Sequence, residues 1–198
     1  MSPATRSKKS SPTKALLSAA VVLVGVAMIA ITSLALFTDS ATVPANTFST
    51  GTIDINTSPT TALLTMAAMS PGDQVTAPLT VSNNGSLQLR YAVTSTTTEN
   101  TLAAQLVYTV KSGVTTCNNV NWSATGTTLY SGVLGTTATS AILGSVTAGS
   151  QAGDRTLAAS ASEVLCMNVT LPANATLASG ASTTAILTFS AEQTANNP

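Results

Sequence analysis

Seven carboxylates and two cysteines carry most of the reactive chemistry in this 198-residue chain, which has no His at all. Losing His removes the commonest general base and the commonest metal ligand together. A zinc protease of the H-E-x-x-H type therefore cannot be written from these residues. The carboxylates are Asp39, Asp54, Asp73, Glu99, Asp154, Glu163 and Glu192. They are dispersed, and no two stand at acid–base spacing. Asp73 lies in "SPGD", a turn sequence in which its side chain steadies the backbone. Asp54 follows a strand pattern outward to solvent, and no spacing matches a calcium-binding EF-hand loop. Ser and Thr abound, but an activated nucleophile needs a base beside it, and only Lys111 or scattered carboxylates could serve. On this reading the chain is not an enzyme and needs neither metal nor cofactor.

Composition changes sharply near residue 38. Before it lie Arg6, Lys8, Lys9 and Lys14, then residues 15–37 (ALLSAAVVLVGVAMIAITSLALF), which carry no charge. A basic region followed by an apolar one is the layout of an export signal, although such apolar cores usually run only ~7–15 residues. A stretch of this length, at about 1.5 Å rise per residue, would also span a bilayer. Two readings follow. One is a signal peptide cut after Ala35, with Ser33 and Ala35 as the small residues before Leu36; the other is a retained anchor with its basic end inside. Both put the remainder outside the cytoplasm, secreted or at the cell surface, and meeting the membrane only through residues 15–37. No second apolar span and no carboxy-terminal sorting motif follows.

The expected organisation is 1–35 signal or anchor, 36–56 an amino-terminal strand segment, and 57–198 one domain with room for a sizeable core. After the apolar segment only Arg90, Lys111 and Arg155 oppose the seven carboxylates. With no basic stripe, nucleic acid is excluded as the main partner. In an oxidising compartment the even cysteine count favours a Cys117–Cys166 disulfide, which would close a loop of roughly 50 residues and stabilise by ~4 kcal/mol. Two buried free thiols are the competing reading.

The body reads as strands. Val75, Ala77, Leu79 and Val81 share one face, as do Leu87, Leu89, Tyr91 and Val93 opposite Gln88 and Arg90. Asn84-Gly85 between them tolerates positive φ and suits a hairpin or short loop. Residues 102–110 also alternate, as do Leu165, Met167, Val169 and Leu171, and Leu187 with Phe189. Pro78 removes a ladder donor and points to a sheet edge. In "TFSTGTIDI", Phe48 is out of phase with Ile53 and Ile55, with Gly51 between them as the place for a bulge. Residues 131–160 are small and Gly-rich, with one short strand expected around Ala141–Val146. Trp122 and the tyrosines are expected in the core, and Arg90 and Arg155 at the surface. Many short strands separated by Gly, Asn and Pro point to an all-β, jelly-roll-like sandwich.

"LFTDSATVPANTFSTGTIDI" (36–55) followed by "MSPGDQVTAPLTVSNNGSL" (69–87) resembles the TasA/camelysin family of bacterial exported proteins. The residues that carry the resemblance are Phe37, Asp39, Thr47, Phe48, Gly51, Thr52, Ile53, Asp54, then Pro71, Gly72, Asp73, and Asn83, Asn84, Gly85, Ser86. The resemblance covers about residues 30–93. It implies a dedicated signal peptidase cutting before Leu36, a jelly-roll domain, and assembly into extracellular matrix fibres of the kind found in biofilms. In such fibres the mature amino-terminal strand, here with Phe37, Phe48, Ile53 and Ile55, completes the sheet of the next copy. The partner is then the chain itself, head to tail. A monomeric surface adhesion or binding module held by an uncleaved anchor is the alternative. Some members are described as metallopeptidases, a chemistry from which a His-free sequence departs.

Overall fold

A strand with one apolar face must bury it against a second layer. The computed structural model describes residues 49–61, 63–176 and 180–197, and Ser49–Pro198 form one compact unit. Its elements are β1 (Ile55–Ser58), β2 (Gln74–Asn83), β3 (Leu89–Thr97), β4 (Val107–Ser112), β5 (Thr127–Val133), β6 (Ser140–Leu143), β7 (Arg155–Leu157), β8 (Ser162–Thr170) and β9 (Ala185–Gln193). One sheet runs β1-β2-β8-β4-β5; in the other, β9 lies on one edge of β3, and β6 and β7 on its opposite edge. All pairings are antiparallel. The protein is thus an all-β, jelly-roll-like sandwich, closed over Leu79, Val81, Leu89, Tyr91, Tyr108, Leu165 and Met167. The hydrophobic helix expected over residues 15–37 lies outside the described residues.

Where the structure departs from alternation, the reason is local. Residues 102–106 are a single helical turn, not strand: the N–H groups of Gln105 and Leu106 both donate to the Leu102 carbonyl, at 2.9 and 3.0 Å. Leu102 and Leu106 are four apart, a spacing that suits periods of 2 and 3.6 alike. Glu99 tips the choice by accepting from the N–H groups of Leu102 (2.9 Å) and Ala103 (3.0 Å), as a helix cap does. Asn84-Gly85 does not join a hairpin; the loop carries the chain from one sheet to the other, since β2 and β3 belong to different sheets. Pro78 pairs with Cys166 of β8, and β1 ends before reaching it, so its missing N–H falls on an open stretch of β2.

The outer face of the five-stranded sheet is covered by the connection between β4 and β5. Cys117 in that loop is disulfide-bonded to Cys166 of β8. Gln74 donates to the Asn119 carbonyl (2.9 Å), Trp122 Nε1 donates to Gln74 Oε1 (3.1 Å), and Asn168 Nδ2 donates to Thr76 Oγ1 (2.7 Å). Lys111 Nζ donates to the Trp122 and Ser123 carbonyls and lies over the indole. Trp122 is therefore a half-buried pin on the outside of the sheet and not a core residue. Asn168 and Lys111 are buried on that face without loss of partners.

Candidate functional site

The two halves of the sequence motif meet in space. Residues 49–54 run along the loop that follows β2. Asn84 N–H donates to the Asp54 carbonyl (2.7 Å), and Ser86 N–H to the Thr52 carbonyl (3.1 Å). Thr52 N–H in turn donates to Ser86 Oγ (3.0 Å). Gly85 is required for space: a Cβ there would come within 2.4 Å of the Thr52 carbonyl oxygen. Gly51 is also close-packed, but against a side chain that can shift: a Cβ there would fall 2.4 Å from Leu87 Cγ. Beneath this clasp Asn83 is fully buried; its Nδ2 donates to the carbonyls of Leu87 (2.8 Å), Leu157 (3.3 Å) and Ala158 (3.0 Å), and its Oδ1 accepts from Gly85 N–H (2.9 Å). Gly85→Ala is expected to cost about 1–3 kcal/mol, through overpacking against the 52–54 backbone. A urea melt of the variant beside the parent checks it.

Ile53 and Ile55, placed in the donor segment on sequence grounds, lie in the chain's own fold: Ile55 opens β1 and pairs with Asn83. Ser33, Ala35, Leu36, Phe37, Asp39 and Phe48 lie outside the described residues. The remaining motif element, Pro71-Gly72-Asp73, sits at the opposite end of β2. There Asp73 Oδ2 accepts from Ser70 N–H (2.7 Å), Gly72 N–H donates to the Leu171 carbonyl (2.7 Å), and Leu171 N–H donates to the Asp73 carbonyl (2.9 Å). Gly72 has φ +99°, a conformation that side-chain-bearing residues avoid.

Between these two devices the sandwich is open along one side. Among the described residues β1 pairs on one edge only, with β2, and β9 on one edge only, with β3. A groove of about 1610 Å³ lies beside those two free edges. Its floor is Val75, Leu79, Tyr108, Val169 and Leu171, one wall is Leu187 and Phe189 of β9, and the other is Leu63, Leu64, Met66 and Met69. Leu187 and Phe189 are only partly buried although they face the core. Leu63, Leu64 and the two methionines escaped the sequence reading because "LLTMAAM" has no strand alternation. An apolar run of that kind between two strands was the available signal.

Asp154, Glu163 and Glu192 are held elsewhere in structural roles. Asp154 accepts from Ser145 N–H (2.9 Å) and Gln151 N–H (2.8 Å). Glu163 accepts from Tyr91 Oη (2.7 Å) and is paired with Arg155, bridging the two sheets. Burial, then the Glu163 carboxylate, push the Tyr91 hydroxyl pKa well up, so it stays a donor. Arg90, expected at the surface, is buried on the outer face of β3 and bound to Glu192 (2.6 Å). That bond holds the Glu192 carboxyl below the ordinary glutamate range. A carboxylate with a depressed folded pKa contributes stability in full above its unfolded value and loses it as pH falls through the folded one. The unfolding midpoint should therefore fall as pH drops below about 4.3, and Glu192→Gln should flatten that part of the pH profile.

Residues 12–107 match the family described as camelysin metallo-endopeptidase. The matched span takes in both halves of the clasp, the Pro71-Gly72-Asp73 turn, β1, β2 and β3. No curated protein matches the chain. The metal implied by that description needs about three protein ligands around an open position. The donor set does not fit. The chain has no His, both cysteines are in the disulfide, and the described residues contain no group of three or more His, Cys, Asp or Glu able to hold an ion.

Proposed function

Because this chain belongs to the TasA/camelysin family, we propose that it is an exported structural protein of the cell surface or extracellular matrix. It polymerises by donating the strand before Ser49 to the groove of the next copy. The family match supports an extracellular structural or camelysin-related protein. The observation that carries strand donation is the apolar groove beside the edge of β9 that pairs with no strand among the described residues. A strand laid there would bond to the free edge through its main chain and fill the groove with alternate side chains.

Two further features favour a second copy as the source of the strand. The clasp fixes residues 52–54 at the loop after β2, whereas the groove is lined by Val75, at the start of β2, and by residues 180–187 leading into β9. Residues 52–54 thus lie at one end of the sandwich and the groove opens towards the other. Head-to-tail donation of that kind does not close on itself, so it builds a filament. The seven-residue carboxylate set without His supports a non-enzymatic role. Electron microscopy of the chain beginning at Leu36 beside the chain beginning at Ser49 tests the reading. Filaments are expected only from the longer chain, and filaments from both would refute donation.

A further inference from the structure

We infer that residues 59–61 and 63–69 form a lid over the acceptor groove, which an incoming strand must lift. The inference rests on the donor-strand reading above and concerns how that site is regulated. Three observations carry it. The side chains of Leu63, Leu64 and Met69 pack partly buried against the core, and with Met66 they make one wall of the groove. Among the described residues, none of this segment's backbone groups is hydrogen-bonded to another backbone group, although strands and bonded turns flank it on both sides. Ala68 within it is held at φ +54°, a left-handed conformation that is strained for a residue with a Cβ.

A segment tied to the fold, among the described residues, by apolar side chains alone, with a strained residue near its end, opens at small cost. It is bounded by firm attachments. β1 is paired to β2 on one side, and on the other the Asp73 turn is bonded to Ser70 and Leu171. The lid can therefore swing without unravelling either sheet. Closed, it shields the groove's leucines and aromatics from water and from unspecific contacts. Open, it clears the side of the groove that a strand beside β9 must pass.

The test uses the compact unit from Ser49 onward, which keeps the groove but has no strand to donate. The probe is a fluorescent synthetic peptide of residues 36–48. In the unsubstituted domain, peptide binding is expected to increase cutting by a chymotrypsin-type protease after Leu63, Leu64, Met66 or Met69. The double variant Leu63→Ser, Leu64→Ser is expected to bind the peptide about tenfold faster, because the closed state loses its apolar hold. Protection of those sites on binding, or unchanged or slower association by the double variant, would show a fixed wall or a clamp and overturn the lid. No peptide binding by either domain would instead defeat the donor-strand reading, and the lid with it.

Discussion

Cys117→Ser is expected to lower the unfolding free energy of the domain by about 4 kcal/mol. The bond closes a loop with a sequence separation of 49 residues, and in the chain-entropy account a loop of that size releases about this much disorder to the unfolded chain when it is cut. The folded state loses something as well. Cys166 sits in β8, between β2 and β4, and the loop carrying Cys117 covers it on that face. Once released, the loop no longer holds Trp122 against Gln74, and the buried amide of Asn168 and the ammonium of Lys111 meet water. Urea titration of oxidised, reduced and Cys117→Ser protein measures the effect. The reduced parent should behave like the variant, and equal midpoints for all three would contradict it.

Asn83→Asp is expected to cost about 3–5 kcal/mol at neutral pH, although the side chain keeps its shape. Three carbonyl oxygens, those of Leu87, Leu157 and Ala158, converge on the Asn83 Nδ2. An Asp carboxylate there replaces a donor by a charge facing three acceptors, and the site is fully buried. The carboxyl responds by staying protonated in the folded state, which raises its folded pKa above its unfolded value. For such a group the folded state binds the extra proton, so stability rises as pH falls. The deficit against the parent should therefore shrink between about pH 7 and about pH 4, opposite in sign to the effect at Glu192. A deficit independent of pH would mean that Asn83 acts by shape alone.

Period-2 alternation exposed β2, β3, β8 and β9, because each packs one face on the core and the pattern of inward residues survives in the sequence. It failed at Leu102–Leu106, where the deciding group was the Glu99 carboxylate three residues upstream. It also failed to place Arg90, since a covered outer face reads like a solvated one, while Trp122, expected in the core as an aromatic, lies in the loop that covers the other sheet. β5 and β7 left little trace: "TTLYSGV" and "RTL" are short and Gly- or Thr-rich, and they pair only at sheet margins. The motif glycines were legible as a pattern but not as a cause. Gly51 packs against Leu87 and Gly85 against the 52–54 backbone, contacts between segments distant in sequence, which no local reading contains.

Donation and acceptance can be separated in two chains. The chain from Leu36 carrying Leu187→Arg keeps its strand but has a charge in its groove, while the chain from Ser49 keeps its groove but has no strand. Sedimentation of each alone should show monomers, and their mixture should show a one-to-one dimer that grows no further. Filaments from either chain alone, or a mixture that stays monomeric, would contradict head-to-tail strand donation.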